Sequence, residues 1–202
     1  MAREEVAAGD RLRVAGAPIA HNVGMTRRLL LPLLAALLLP ACAGTPSSGD
    51  AGGATFIVVR HGEKTSDTER DPDLGAAGIE RARQLARRLA GDDITAIYTT
   101  DYRRTRQTVE PTATAHGIDA KTYDAKLSAD EFAAQLKAAH PRGTVLVAGH
   151  SNTVPDIVAA LCGCEAAPMP ETEYDRLSTV HVAAGSGARL QVTRFGAPAH
   201  AP

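Results

Sequence analysis

The chain contains no tryptophan, and aromatic residues make up only 3% of its 202 positions. Its core cannot rest on large rings and must be built from Val, Ile, Leu and Ala, of which Ala-rich segments form helices easily. Cysteine is scarce: Cys42, Cys162 and Cys164 are too few for a disulfide scaffold. Only Gly163 separates Cys162 from Cys164, so a bridge would close a very small ring, and no second Cys or His pair completes a zinc site. Both are expected to be structural thiols. Charge of one sign is also lacking. The 22 basic and 23 acidic residues give a formal net charge of -1, which carries no global argument for nucleic-acid binding. A local cationic pocket is compatible with that balance.

A membrane-spanning run of about 20 apolar residues is missing as well. The most apolar stretch follows Arg27-Arg28, ends Leu39-Pro40-Ala41-Cys42, and is interrupted by Pro32 and Pro40. Basic residues, a short apolar run and small residues at its end form the layout of a secretory signal. The ending resembles a bacterial lipoprotein signal, which implies cleavage before Cys42 and lipid on its sulfur. The other reading is an ordinary signal cut near Ala43. Met25 just precedes the basic pair, so residues 1–24 are read as an upstream translation artefact, 25–41 as the signal and 42–54 as a flexible Gly/Ser/Pro/Ala linker. The folded domain is expected over 55–195, with a disordered tail over 196–202.

Within that span, Thr55–Val59, Ile94–Tyr98 and Thr144–Ala148 are short apolar runs, expected as buried strands of a parallel sheet. Residues 76–90 are amphipathic with helical period. Further helices are expected over 102–115, stopped by Gly117, over 128–139, opened by a capping box at Ser128, and after Asn152 or Thr153. A weak strand falls at 119–123, and 178–183 with 189–194 reads as a closing hairpin. Strands alternating with helices predict an α/β domain, a three-layer α/β/α sandwich around a mostly parallel sheet.

Each of the three strong strands runs straight into polar residues. These are Arg60-His61-Gly62-Glu63, then Thr99 to Thr108 with Arg103, Arg104 and Arg106, then Gly149-His150-Ser151-Asn152. In open α/β sheets, ligands bind at the carboxyl ends of the strands. Guanidinium forks match phosphate oxygens in charge and geometry, and a neutral imidazole is a competent nucleophile. Gly62 would let backbone approach a ligand. A helix starting after His150 would aim N–H groups at an anion. His116, His140 and His181 carry bland readings, as a helix-end cation, a turn residue and a strand-face residue.

These motifs, in this order, resemble those of the histidine phosphatase superfamily, which includes the cofactor-dependent phosphoglycerate mutases. The matching segments are Arg60-His61-Gly62-Glu63, Leu74–Gly78 with Gln84-Leu85-Ala86, Tyr98–Thr108 and Gly149-His150-Ser151, covering roughly 55–183. The resemblance implies a phosphohistidine on His61, with Arg60, Arg104 and His150 holding the phosphoryl group. It implies a phosphoric monoester hydrolase that needs no metal and no cofactor. Gly62, Glu63, Ser151 and Asn152 are further substrate-binding candidates. The glutamate segment that often supplies the family's proton donor is absent here. Asp130 and Glu131 are the candidates in its place, although both also suit a helix cap. The expected partners are a small phosphorylated substrate and a membrane, through the lipid at Cys42, with no nucleic acid. The rival functions are a phosphoglycerate mutase-like transferase and a non-catalytic phosphate-binding protein on the same fold. Export argues against the mutase, whose metabolites are cytoplasmic. The Glu171-Thr-Glu-Tyr174 segment, lying before the last hairpin, is expected to approach the pocket from the side and affect substrate choice, whereas the polar, Asp-rich 63–74 loop carries no specificity signature.

Overall fold

A computed structural model describes residues 52–183 and 187–199. The expected signal, the expected lipidation residue Cys42 and most of the expected linker lie outside the described residues. Among those described, no helix is long and apolar enough to cross a membrane. Six strands form one sheet in the order β3-β2-β4-β1-β5-β6: β1 (Ala54–Arg60), β2 (Ile94–Thr100), β3 (Lys121–Tyr123), β4 (Gly143–Gly149), β5 (Arg176–Val182) and β6 (Ala188–Arg194). The β1–β4, β4–β2 and β2–β3 pairings are parallel. The β1–β5 and β5–β6 pairings are antiparallel.

The continuous apolar runs of β1 and β4 follow from burial on both faces. Phe56, Val58, Val145 and Val147 project into one cluster under α3 (Ala129–Ala139) and α4 (Val154–Cys162). Ile57, Val59, Leu146 and Ala148 project into the other, under α1 (Ala76–Arg88) and α2 (Arg103–His116). Side chains alternate along a strand, so a run apolar at every position serves two layers. The result is the expected α/β/α sandwich.

The strand ends place the chemistry. Arg60 at the end of β1 is in register with Gly149 at the end of β4, and Thr99 of β2 is in register with Ala148. Residues 61, 100–104 and 150–153 therefore emerge side by side. Helix ends use the expected chemistry: Gly117 adopts φ 64° to close α2, and the Ser128 hydroxyl accepts from the Glu131 amide at 3.3 Å to open α3.

Two expectations fail here. Cys162 and Cys164 are joined by a disulfide with Cα atoms 5.2 Å apart, an ordinary spacing for a bridge. Gly163 makes it feasible: as the left-handed C-cap of α4 (φ 63°) it folds the chain back within one residue. The tail is also held further than expected. The Ala197 amide donates to Gln84 Oε1 at 3.1 Å, and Arg81 Nη1 donates to the carbonyls of Phe195 and Ala197.

Candidate active site

His61 continues the β1–β4 ladder by donating its amide to the Gly149 carbonyl at 3.0 Å. Its ring is buried, and Nδ1 lies 2.7 Å from the Gly62 carbonyl. A carbonyl only accepts, so the proton sits on Nδ1 and Nε2 keeps its lone pair. Burial pushes the imidazole pKa down to about 3. The Gly62 carbonyl opposes this shift, while Arg60, His150 and Arg104 add to it. The ring is thus a neutral, oriented base at any ordinary pH.

Arg60 is almost fully buried. Its Nη1 donates to the carbonyls of Pro170, Glu171 and Glu173 at 3.1, 2.8 and 3.2 Å, and Nη2 to Glu171 Oε2 at 2.6 Å. The Tyr174 ring lies under the guanidinium, 4.1 Å from its carbon. One segment, 170–174, therefore supplies all of these contacts. Arg60 Nε is buried with no partner among the described residues. The same holds for Nε and Nη1 of Arg104, whose guanidinium stacks on Tyr102 at 4.4 Å. Arg104 Nη2 reaches only the edge of hydrogen-bond range, 3.5 Å from Nδ1 of His150.

His150 packs edge-on against both His61 (5.4 Å between centroids) and Tyr102 (5.1 Å). A guanidinium only donates, so it faces the lone pair on Nδ1, and Nε2–H donates to Thr100 Oγ1 at 3.1 Å. Burial, assisted by Arg104, pushes this ring down to about 4.

These side chains share a cavity of about 370 Å³ with Lys64, Tyr102, Lys126, Ser151, Asn152 and Glu171. Larger hollows exist, such as one of about 740 Å³ between α2 and β3, but none of them is lined by His61, Arg60, Arg104 or His150. His61, Arg60, Arg104, His150, Ser151 and Asn152 come together as the sequence placed them. Gly62 and Glu63 do not line the cavity. The Gly62 amide donates to Thr108 Oγ1 at 2.9 Å, and a Cβ on Gly62 would lie 2.9 Å from Gly78 Cα. Gly62 therefore serves the packing of β1 against α1 rather than a ligand. Glu63 turns the other way and forms a fork-to-fork pair with Arg81 of α1, at 2.6 Å in its closest arm. The Arg81 pair holds its carboxyl below the usual range despite partial burial. Asp130 and Glu131 sit in the first turn of α3 as cap residues and do not line the cavity. The first α4 amides are also occupied, since Thr153 and Val154 donate to the His150 carbonyl. His116, His140 and His181 lie elsewhere; His140 accepts from or donates to the Tyr98 hydroxyl, and His181 does the same with Thr55.

Sequence reasoning missed several supports. Gln107 holds the 63–74 loop through the Leu74 amide and Asp73. Asp71 caps α2 at the Arg103 amide, and Thr108 fixes the His61-Gly62 turn. Gln107 and Thr108 stand in the quoted motif, so their presence was visible but their partners were not.

Residues 56–128 match the family model described as "Histidine phosphatase superfamily (branch 1)". No curated protein matches the chain. Solved structures of similar fold include the protein histidine phosphatase SixA complexed with tungstate, at 20% identity and TM-score 0.59, covering 69% of this chain and 96% of that one. Another is YhfR of Bacillus stearothermophilus, at 18% and 0.58, covering 69% and 96%. A third is the mycobacterial glucosyl-3-phosphoglycerate phosphatase, at 16% and 0.53, covering 70% and 97%. The motif order and the strand-end geometry agree with the match of residues 56–128 to that family model, and the solved structures share the fold.

Proposed function

We propose that this protein is a metal-independent phosphomonoesterase of the cell envelope that works through a phosphohistidine on Nε2 of His61. The observation that carries the reading is a set of three buried guanidinium N–H positions without hydrogen-bond partners among the described residues, Nε of Arg60 and Nε and Nη1 of Arg104 (the last in a long, 3.7 Å ion pair with Asp71), beside a neutral imidazole with a free lone pair. Buried donors are almost always paired, so a cluster of orphans marks the place of a missing acceptor. A phosphoryl group supplies acceptor oxygens and the charge that two guanidinium groups match.

In the first step Nε2 attacks phosphorus and the P–O bond to the leaving group breaks. The charge on the equatorial oxygens is met by Arg60 and Arg104. A dianion beside His150 opposes its desolvation and favours a proton on Nδ1, which then donates to the phosphoryl group. Water hydrolyses the phosphohistidine in the second step. Among the described residues the one carboxyl that lines the cavity, that of Glu171, is held ionised by Ser151 and Arg60 and offers no proton, so good leaving groups suit this site best. Aryl phosphates qualify. So does the imidazole of a phosphohistidine, the group acted on by the SixA neighbour according to its name.

The envelope location rests on the signal layout before Cys42 and on the Cys162–Cys164 bridge, since disulfides persist mainly in oxidising compartments. The purified protein should hydrolyse p-nitrophenyl phosphate in the presence of EDTA, and His61→Ala should abolish that activity. Turnover that requires added metal, or an unimpaired variant, contradicts the mechanism.

A further inference from the structure

The cavity holds six cationic or basic side chains, Arg60, His61, Lys64, Arg104, Lys126 and His150, and among the described residues one carboxylate, that of Glu171. Glu171 is not placed at random. Its Oε2 accepts from Arg60 Nη2 at 2.6 Å, and its Oε1 accepts from the Ser151 hydroxyl at 2.5 Å. It thus spans from the end of β1 to the turn that opens α4. Its side chain is 76% exposed, so the carboxylate stands at the mouth of the cavity in contact with water. An in-line displacement at phosphorus brings the attacking water from the side opposite Nε2 of His61. Because His61 forms the buried wall, that side is the mouth.

We infer that Glu171 is the general base that activates water for hydrolysis of the phosphohistidine. The inference rests on the proposed phosphohistidine at His61. As the water oxygen bonds to phosphorus, its proton passes to the Glu171 carboxylate. The P–Nε2 bond breaks, its electron pair returns to Nε2, and inorganic phosphate leaves. Glu171 then loses the proton to solvent. Each carboxylate oxygen uses one lone pair on Arg60 or Ser151 and keeps another for the proton. The Ser151 hydroxyl and the Arg60 guanidinium hold the group below the usual carboxylate range, which keeps it ionised and able to accept a proton at neutral pH and disfavours an acid role.

The test is a rapid-quench time course of p-nitrophenyl phosphate with the full chain, reading p-nitrophenolate and base-stable, acid-labile phosphoenzyme together. Glu171→Gln keeps the shape and acceptor capacity of the side chain but removes its basicity. Its burst should match wild type, while its steady state should slow on the order of 100-fold. Phosphoenzyme should then accumulate to nearly one per molecule. The acid limb of dephosphorylation should disappear in this variant. Unchanged steady-state turnover in Glu171→Gln overturns the inference. So does a slower burst with raised KM and no accumulated phosphoenzyme, which makes Glu171 only a holder of Arg60. Absence of phosphoenzyme from wild type overturns the phosphohistidine reading itself, and this inference with it.

Discussion

His61 owes its tautomer to one hydrogen bond and its neutrality to burial. With its pKa pushed down to about 3, Nε2 gains a proton only in strong acid, whereas an ordinary imidazole does so near 6.5. The burst rate constant at saturating p-nitrophenyl phosphate should therefore change less than about threefold between pH 7 and 5; a fall of tenfold or more with a midpoint near 6.5 contradicts the assignment. Arg104 makes a sharper separation of function from stability. Its Nε and Nη1 have no hydrogen-bond partner among the described residues, Nη2 has only the 3.5 Å contact with His150, and its ion pair with Asp71 is long at 3.7 Å, so Arg104→Leu should leave the melting temperature unchanged or raised. The same variant should lower kcat/KM on the order of 100-fold or more. His61, Arg60 and His150 were legible in the sequence because each sits at or just past a strand end, where local pattern fixes position, and Arg104, in the first turn of α2, was legible through its place in the Tyr98–Thr108 motif. Gly62 and Glu63 were not, because their partners Gly78 and Arg81 lie on another element, and adjacency to His61 said nothing about which way they turn.

Two backbones meet where β1 ends and α1 begins. A Cβ on Gly78 would lie 2.2 Å from the Glu63 carbonyl oxygen, which is backbone and cannot swing aside. Gly78→Ala should therefore cost about 1–3 kcal/mol, lower the melting temperature by several degrees and reduce activity with it, read by calorimetry and by p-nitrophenyl phosphate turnover. The 170–174 segment acts on Arg60 largely through main-chain carbonyls, a role that leaves no trace in residue type. Beforehand the segment was legible only as a stretch expected to affect substrate choice, with no role for Arg60 in it. The Cys162–Cys164 bridge escaped detection for a related reason. Spacing alone spoke against it, and the left-handed turn at Gly163 reverses that conclusion. The helices and strands themselves were legible, since apolar period and cap residues agree along most of the domain.

At the scale of the whole molecule, His61 and His150 are buried neutral imidazoles, and this couples stability to acid. His61 and His150 have folded pKa values of about 3 and about 4, both below the ordinary 6.5. Below pH 6.5 the unfolded chain binds protons that the folded one refuses, so stability is full above that value and declines as pH falls toward 4. Melting temperature should drop across pH 6.5 to 4, and His61→Asn should flatten that drop; an equal slope in the variant contradicts the burial argument. At the N-terminus, the proposed anchoring predicts a mature chain beginning at Cys42 with added lipid mass in membrane fractions. An unprocessed chain beginning at Met1 or Met25 contradicts it. The central claim is the covalent intermediate. It is tested most directly by quenching the protein with an aryl phosphate into base, digesting it and sequencing the phosphopeptide by mass spectrometry. The account predicts phosphate on His61 within the first turnover and none in His61→Ala. Phosphate on another residue, or continued turnover in that variant, would contradict it.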